Sequence, residues 1–398
     1  MANLLDSASI LLTPTAYNNG SILAIQPSDG SGDMTFSRGS SATRVNAQGL
    51  IEDVQILSSN LVSNGDFSQG GQDWNLNNGA AIAEDKATII GDGSVFGYVE
   101  QLSTFVSGKK YKVTLDAIIN SGDGLVVKYA LGFSDNIGSI TTSGSYTFYY
   151  TAVVTGPIII GRLTGGIAYD SSISNISILE ITDDTNLPRI DYTDGCGSLL
   201  LEPQSTNLIP YSEDFSQSSW NKETGVVITS NYGTSPDGTQ NSTRLQLNSI
   251  NKSIYFVTGL GYASVFSIYI KGTKDEVIRV SNTGGTIHTF TGGWDRVECY
   301  DSDGTSPNVS INSYGGSTTA LDMEIYGAML EQNSFSTSYI PTSGAASTRL
   351  ADIANIDLTS FTLTSITETI SGVEQTPITV IPSIYTTPYG SIDKIIMI

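Results

Sequence analysis

The sequence predicts an all-β protein: two tandem antiparallel jelly-roll β-sandwiches, preceded by an N-terminal attachment segment and followed by a C-terminal β-hairpin tail. Three observations carry this. Runs of alternating apolar and polar residues, such as YKVTLDAII, SYTFYYTAVV and ASVFSIYI, are separated by Gly, Asn, Asp and Ser turns, with no helical period between them. β-Branched residues and 20 tyrosines fill the apolar positions, and 41 glycines punctuate the chain. Finally, one phrase occurs twice: SNLVSNGDFSQGGQDW, from Ser59 to Trp74, returns as STNLIPYSEDFSQSSW, from Ser205 to Trp220.

A duplicated domain must repeat its later landmarks in the same order. GKKYKVTLDAI (Gly108–Ile118) is answered by GLGYASVFSIYIKG (Gly259–Gly272). GSYTFYYTAV (Gly144–Val153) is answered by GGWDRVECY (Gly292–Tyr300), with Tyr146 where Trp294 stands. ISNISILEI (Ile173–Ile181) is answered by LDMEIYGAMLEQ (Leu321–Gln332). This predicts one sandwich over 59–182 and a second over 205–334. Residues 1–58 form an N-terminal attachment segment with strands in SILAIQ, DMTFSR and GLIEDVQ, and 183–204 a linker. Residues 335–398 read as a β tail, with SFTLTSITETI and TPITVIPSIY as a hairpin and IDKIIMI as a last strand. Those final apolar residues need cover from a sandwich or a second subunit.

Composition excludes several functions. The net charge is −21 although only 14% of residues are charged, so the surface is mainly Ser, Thr, Asn and Gly. Phosphate binding needs a basic stripe and none exists, which excludes nucleic acid and anionic membrane surfaces. No run of about 18 apolar residues spans a membrane. The start, MANLLDSASILLTPT, lacks the basic and apolar regions of a signal peptide. Cys196 and Cys299 lie in unlike contexts and read as two unpaired thiols.

The phrases outside the sandwiches resemble a known family. FSRGSSATRVNAQGLIEDV (Phe36–Val54), PRIDYTDGCGSLLLEPQSTNLIPYSEDF (Pro188–Phe215) and SFSTSYIPTSGAASTRLAD (Ser334–Asp352) are similar to signatures of tailed-bacteriophage virion fibre proteins. In that family such phrases string together carbohydrate-binding-like jelly rolls. The resemblance implies a virion location, contacts with other virion proteins at the capsid, portal, neck or tail, and a homotrimer, with a dimer second. Longer members add a lectin-like domain after the STRLAD phrase. Here a short stretch follows Asp352, which favours a decoration or connector role over a tail tip.

Candidate chemistry is sparse. Arg38, Arg44 and Arg349 lie in Ser/Thr/Gly/Ala-rich loops and suit a structural clasp, since a guanidinium can hold carbonyls or a carboxylate through two hydrogen bonds. The single histidine, His288, offers no metal cluster, and a triad built on it would lack a nucleophile-elbow motif. Acid pairs for glycoside hydrolysis are not distinguished by position, and the short-period repeats of a β-helix depolymerase are absent. Sugars dock on exposed aromatic faces, and Trp74, Trp220, Tyr98 and Tyr232 lie in or near loops. Trp74 and Trp220, however, belong to the repeated phrase, which equally fits a core role. Carbohydrate-binding jelly rolls of the type resembled often hold a structural calcium, for which Asp66 with Glu180, or Asp214 with Asp322, stand at corresponding positions. Solvated turn acids are the plainer reading of those carboxylates.

The expected protein is therefore a non-enzymatic fibre or decoration component of a phage particle that contacts host-surface glycans. The alternative is a dedicated carbohydrate-binding receptor protein or a capsule-degrading enzyme.

Overall fold

The computed structural model describes residues 7–18, 20–131, 136–282, 285–314 and 320–398. Their elements of regular structure are strands, paired antiparallel, and no helix among them is long and apolar enough to cross a membrane.

The first sandwich sets a six-stranded and a five-stranded sheet face to face, the sixth strand being Ile56–Leu57, paired to Tyr169–Asp183. One runs Gly144–Thr151, Lys110–Ser121, Tyr169–Asp183, Lys86–Gly91, Ala80–Ala83. The other runs Asn136–Ile140, Leu125–Lys128, Gly156–Arg162, Tyr98–Phe105, Asn75–Asn77. Setting aside Ile56–Leu57 and the two short edge strands Asn75–Asn77 and Ala80–Ala83, the strand order is sixth–third–eighth–first in one sheet and fifth–fourth–seventh–second in the other. That is the order of a jelly roll. Period-two alternation decides which face is buried. Along Lys110–Ser121, Tyr111, Val113, Leu115 and Ala117 point into the core while their neighbours stay partly exposed.

The second sandwich has the same strand order. Asp295–Asp301, Ser264–Gly272, Leu321–Glu331, Thr243–Leu247 and Val226–Thr229 make one sheet. Thr286–Thr289, Val277–Asn282, Asn308–Asn312, Ser253–Val257 and Trp220–Lys222 make the other. Ten strands match ten strands in sequence and position, so the repeated phrase does mark a repeated fold. The phrase itself is the plug of each core. Phe67 packs tilted against Trp74 with ring centroids 5.2 Å apart, and Phe215 against Trp220 at 4.9 Å. Both phenylalanines are buried, but in turns ahead of the first edge strand rather than within a strand.

A third body is built from the pieces between and around the sandwiches, which the sequence reading had kept apart as segment, linker and tail. Its first sheet runs Arg189–Asp191, Ser198–Leu201, Gly390–Met397, Ile366–Ile370, Val373–Glu374, with Ile10–Leu12 also paired to Gly390–Met397. Its second runs Tyr17–Asn18, Ser21–Ile22, Met34–Ser37, Ile353–Asp357, Ile384–Thr386. Ile10, Leu12, Met34, Leu199, Ile356 and Ile395 lie in its core. Of the 1–58 segment, residues 1–6 lie outside the described residues; from Ile10 onward its strands are woven into this body. The C-terminal hairpin joins Ile366–Ile370 to Val373–Glu374, whereas Ile384–Thr386 crosses to the opposite sheet.

This corrects the expectation for the last strand. Ile392, Ile395 and Met397 are fully buried within the chain, because Gly390–Met397 lies inside a sheet, hydrogen-bonded to neighbours on both edges. Its apolarity therefore calls for no second subunit.

The chain divides into two compact units: Met1–Gln55, Asp184–Val227 and Gln246–Ile398 in one, Ile56–Asp183 and Ile228–Leu245 in the other. Both cysteines are free thiols, Cys196 exposed and Cys299 buried.

Candidate functional site

Two constructions in the first unit concentrate polar chemistry: a buried ionic clasp and an open polar cleft. The clasp joins all three phrases that lie outside the sandwiches. Arg38, Arg189 and Arg349 are 0–1% exposed. Arg38 Nη1 donates to Asp352 Oδ1 at 2.9 Å, and its remaining donors reach the Ser40 and Leu187 carbonyls. Arg189 donates through Nη2 to Asp352 Oδ2 and through Nη1 to Glu202 Oε2 at 2.6 Å. Arg349 lies 3.0 Å from the same Glu202 oxygen and donates to the Pro203 carbonyl. The Ser338 N–H closes the ring onto Glu202 Oε1 at 2.7 Å.

Such charges tolerate burial only because nearly every donor and oxygen is partnered. Burial alone would raise the Glu202 pKa, but the guanidiniums of Arg189 and Arg349 and the Ser338 hydroxyl outweigh it and hold the group down to about 2. Arg44, the third proposed clasp arginine, sits apart: it is half-buried, pairs with Glu52 at 2.8 Å and donates to the Ile190 carbonyl. Arg189, Glu202 and Asp352 were not singled out from the sequence, although each stands in a quoted phrase. An acid or Arg inside a Leu/Pro-rich run was the available signal.

The cleft lies on the outer face of the second sandwich, over Ser253–Val257, Asn308–Asn312 and Val277–Asn282. Its position follows from alternation. Ile254, Val309, Ile311, Ile278 and Val280 enter the core, so Ser253, Tyr255, Ser310, Asn312, Arg279 and Ser281 must face the other way. Pairing aligns them into two rows, Tyr255–Ser310–Ser281 and Ser253–Asn312–Arg279. Glu223 and Tyr314 complete the walls of a cavity of about 410 Å³.

Hydrogen bonds fix these walls. The Tyr314 hydroxyl donates to Glu223 Oε1 at 3.0 Å, the Ser253 N–H donates to Glu223 Oε2 at 3.0 Å, and Asn312 Nδ2 donates to Ser310 Oγ at 2.8 Å. Burial and the neighbouring Glu223 carboxylate push the Tyr314 phenol above its ordinary pKa.

The sugar-stacking candidates fall elsewhere. Trp74 and Trp220 are 6% and 1% exposed, with indole N–H groups donating to the Asn64 and Tyr211 carbonyls. Neither offers a face to a ligand, so the core alternative holds for both. Tyr98 is half-buried and stacked on Phe96. Tyr232 is exposed, with the Arg244 guanidinium 4.9 Å from its ring centroid. Trp294 is partly buried against Tyr326, Met329, Tyr339 and Ile340.

The calcium pairs are not assembled either. Asp66 accepts from the Ser68 N–H and hydroxyl, and Glu180 from Lys109 Nζ at 2.6 Å, a cation already in place. Asp214 accepts from Ser216 and Gln217, and Asp322 from Gln246. Among the described residues no three His, Cys, Asp or Glu side chains group as a metal site. His288 pairs with Asp295 at 3.0 Å and packs edge-on to Phe290.

No family model matches the chain, and no curated protein matches it. Solved structures give weak likenesses. The CBM22-1–CBM22-2 tandem domain from Paenibacillus barcinonensis Xyn10C is 10% identical, covering 70% of this chain and 98% of that one, at a TM-score of 0.24. The ANXUR2 extracellular domain from Arabidopsis thaliana is 9% identical over 65% and 86%, at 0.19. The M60 catalytic domain with CBM51-1 and CBM51-2 from Clostridium perfringens ZmpB is 8% identical over 82% and 43%, at 0.18. Likenesses this weak carry no function to this chain, and the fold rests on its own strand order.

Proposed function

We propose that this chain is a non-catalytic structural protein of a tailed-phage particle, a fibre or decoration protein that contacts host-surface glycans. The observation that carries the reading is the convergence of the three fibre-like phrases on one buried ionic cluster, in which Asp352 pairs with Arg38 and Arg189, and Glu202 with Arg189 and Arg349.

Binding without hydrolysis suits the cleft. Cleavage of a glycosidic bond needs two carboxyl groups flanking it. Among the described residues Glu223 is the one acid lining this cavity, and both its oxygens are already hydrogen-bonded. The cleft also favours the second reading, a dedicated carbohydrate-binding receptor protein, over a capsule-degrading enzyme.

Immunogold labelling and mass spectrometry of purified particles test the proposal: the chain should be present in stoichiometric amounts at one location. Its absence from particles would overturn the virion role. A homotrimer, with a dimer second, is part of the same proposal and is read by light scattering on the purified protein.

A further inference from the structure

The duplicated sandwiches have corresponding outer faces, and the two faces have different chemistry. Trp74 and Trp220 fix the alignment: Trp74 immediately precedes Asn75–Asn77, which pairs with Tyr98–Phe105, and Trp220 opens Trp220–Lys222, which pairs with Ser253–Val257 at the cleft. The second sandwich's row Tyr255–Ser310–Ser281 corresponds in the first to Glu100–Ile159–Lys128. The row Ser253–Asn312–Arg279 corresponds to Tyr98–Gly161–Val126.

The first face is filled by its own side chains. Phe96 lies over Gly161, so close that a Cβ there would stand 2.7 Å from the ring. The same ring stacks on Tyr98 at 5.1 Å and meets Lys128 Nζ at 5.9 Å. Ile159 and Val126 point away from the inner core and are nevertheless buried, at 0% and 3% exposure. In the second sandwich the matching positions carry hydroxyls, an amide and a guanidinium around open volume.

We infer that the second sandwich alone binds saccharide, and that its ligand is a short neutral oligosaccharide seated on Tyr255 and Tyr314. The inference rests on the glycan-contacting reading above and assigns it a site and a ligand class. The cavity volume falls in the range of small-ligand sites, about 300–1,000 Å³. Tyrosine rings supply apolar faces for sugar C–H groups. Asn308, Ser310 and Asn312 present donors and acceptors suited to hydroxyls, and Arg279 and Glu223 add charge-assisted bonds of opposite sign. One cation beside one carboxylate does not concentrate positive potential, and a chain of net charge −21 repels polyanions. Neutral sugars fit both facts.

The test is an array of neutral, uronate-containing and sialylated oligosaccharides on the full chain, followed by calorimetry with the best hit. Neutral hits are expected. Tyr255→Ala and Arg279→Gln should each weaken binding about tenfold or more, at unchanged melting temperature. Glu100→Ala, at the corresponding place in the first sandwich, should leave it unchanged. A blank array, hits confined to acidic glycans, or binding lost with Glu100→Ala and kept with Tyr255→Ala would each overturn the inference. Particle labelling separates this from the virion role: a chain found on particles with a blank array keeps the fibre reading and loses the glycan site.

Discussion

Arg189 and Asp352, 163 residues apart in the chain, form an ion pair in which both side chains are fully buried. Asp352 takes Arg38 through its other oxygen, so one carboxylate compensates two guanidiniums. Removing it leaves buried charge without a partner, which costs about 3–5 kcal/mol. Asp352→Ala should lower stability by that amount in urea denaturation, and a loss below about 1 kcal/mol would show that the cluster relaxes or hydrates freely.

The same cluster makes stability depend on pH. The folded-state pKa of Glu202 is depressed from 4.5 to about 2. A depressed carboxylate contributes stability above its unfolded pKa and loses it as pH falls through the window from 4.5 to 2, by roughly 3 kcal/mol in all. Glu202→Gln should flatten the acid limb of a melting-temperature profile. An unchanged slope between those pH values would rule out this assignment.

Glu368 has the opposite sign. It is buried on Ile366–Ile370, its Oε1 has no hydrogen-bond partner among the described residues, and burial raises its pKa. A raised carboxyl penalises the folded state once pH exceeds the ordinary 4.5, and the penalty grows until the folded pKa is passed. Glu368→Gln should therefore match the parent in acid and melt higher at neutral pH. A variant that melts lower at pH 7 would mean the carboxylate has a partner in solution.

Phe67→Ala and Phe215→Ala each remove the ring that packs against a buried tryptophan. Each should cost about 3–5 kcal/mol. Chemical denaturation reads the loss, and an unshifted midpoint would contradict the plug role.

Ile395→Ala separates a strand sealed within the chain from one shared between subunits. Truncating this fully buried side chain should cost about 2–5 kcal/mol without altering the mass seen by light scattering. A fall in mass at equal protein concentration would place the strand at a subunit contact.

The repeat was legible in the sequence because its landmarks are local: a Phe and Trp a few residues apart, and strands alternating with period two. The cleft was written in the same alternation, in Ser253 and Tyr255 or Asn308, Ser310 and Asn312, but a polar outer face looks alike whether it is flat or hollow. Trp74 and Trp220 drew attention as aromatics near loops, yet their burial depends on Phe67 and Phe215 folding back over them. The third body was illegible for another reason. Ile10–Leu12, Ser198–Leu201 and Gly390–Met397 pair over separations that no local pattern encodes. Asp352 and Glu202 read as ordinary loop acids until the arginines around them are placed.

The pairing of Ile10 with Met397 also sets an order of events during synthesis. A ribosome releases Ile10–Leu12 early, and the strand that completes its sheet emerges only after both sandwiches have been made. Each sandwich closes on contacts within its own window and can condense first, since nearer contacts cost less chain entropy to close. The third body must then wait, with Ile10 and Leu12 unpaired while the rest is translated. Exposed apolar strands of this kind invite mispairing, so the nascent chain is vulnerable until Gly390–Met397 has emerged to pair with Ile10–Leu12.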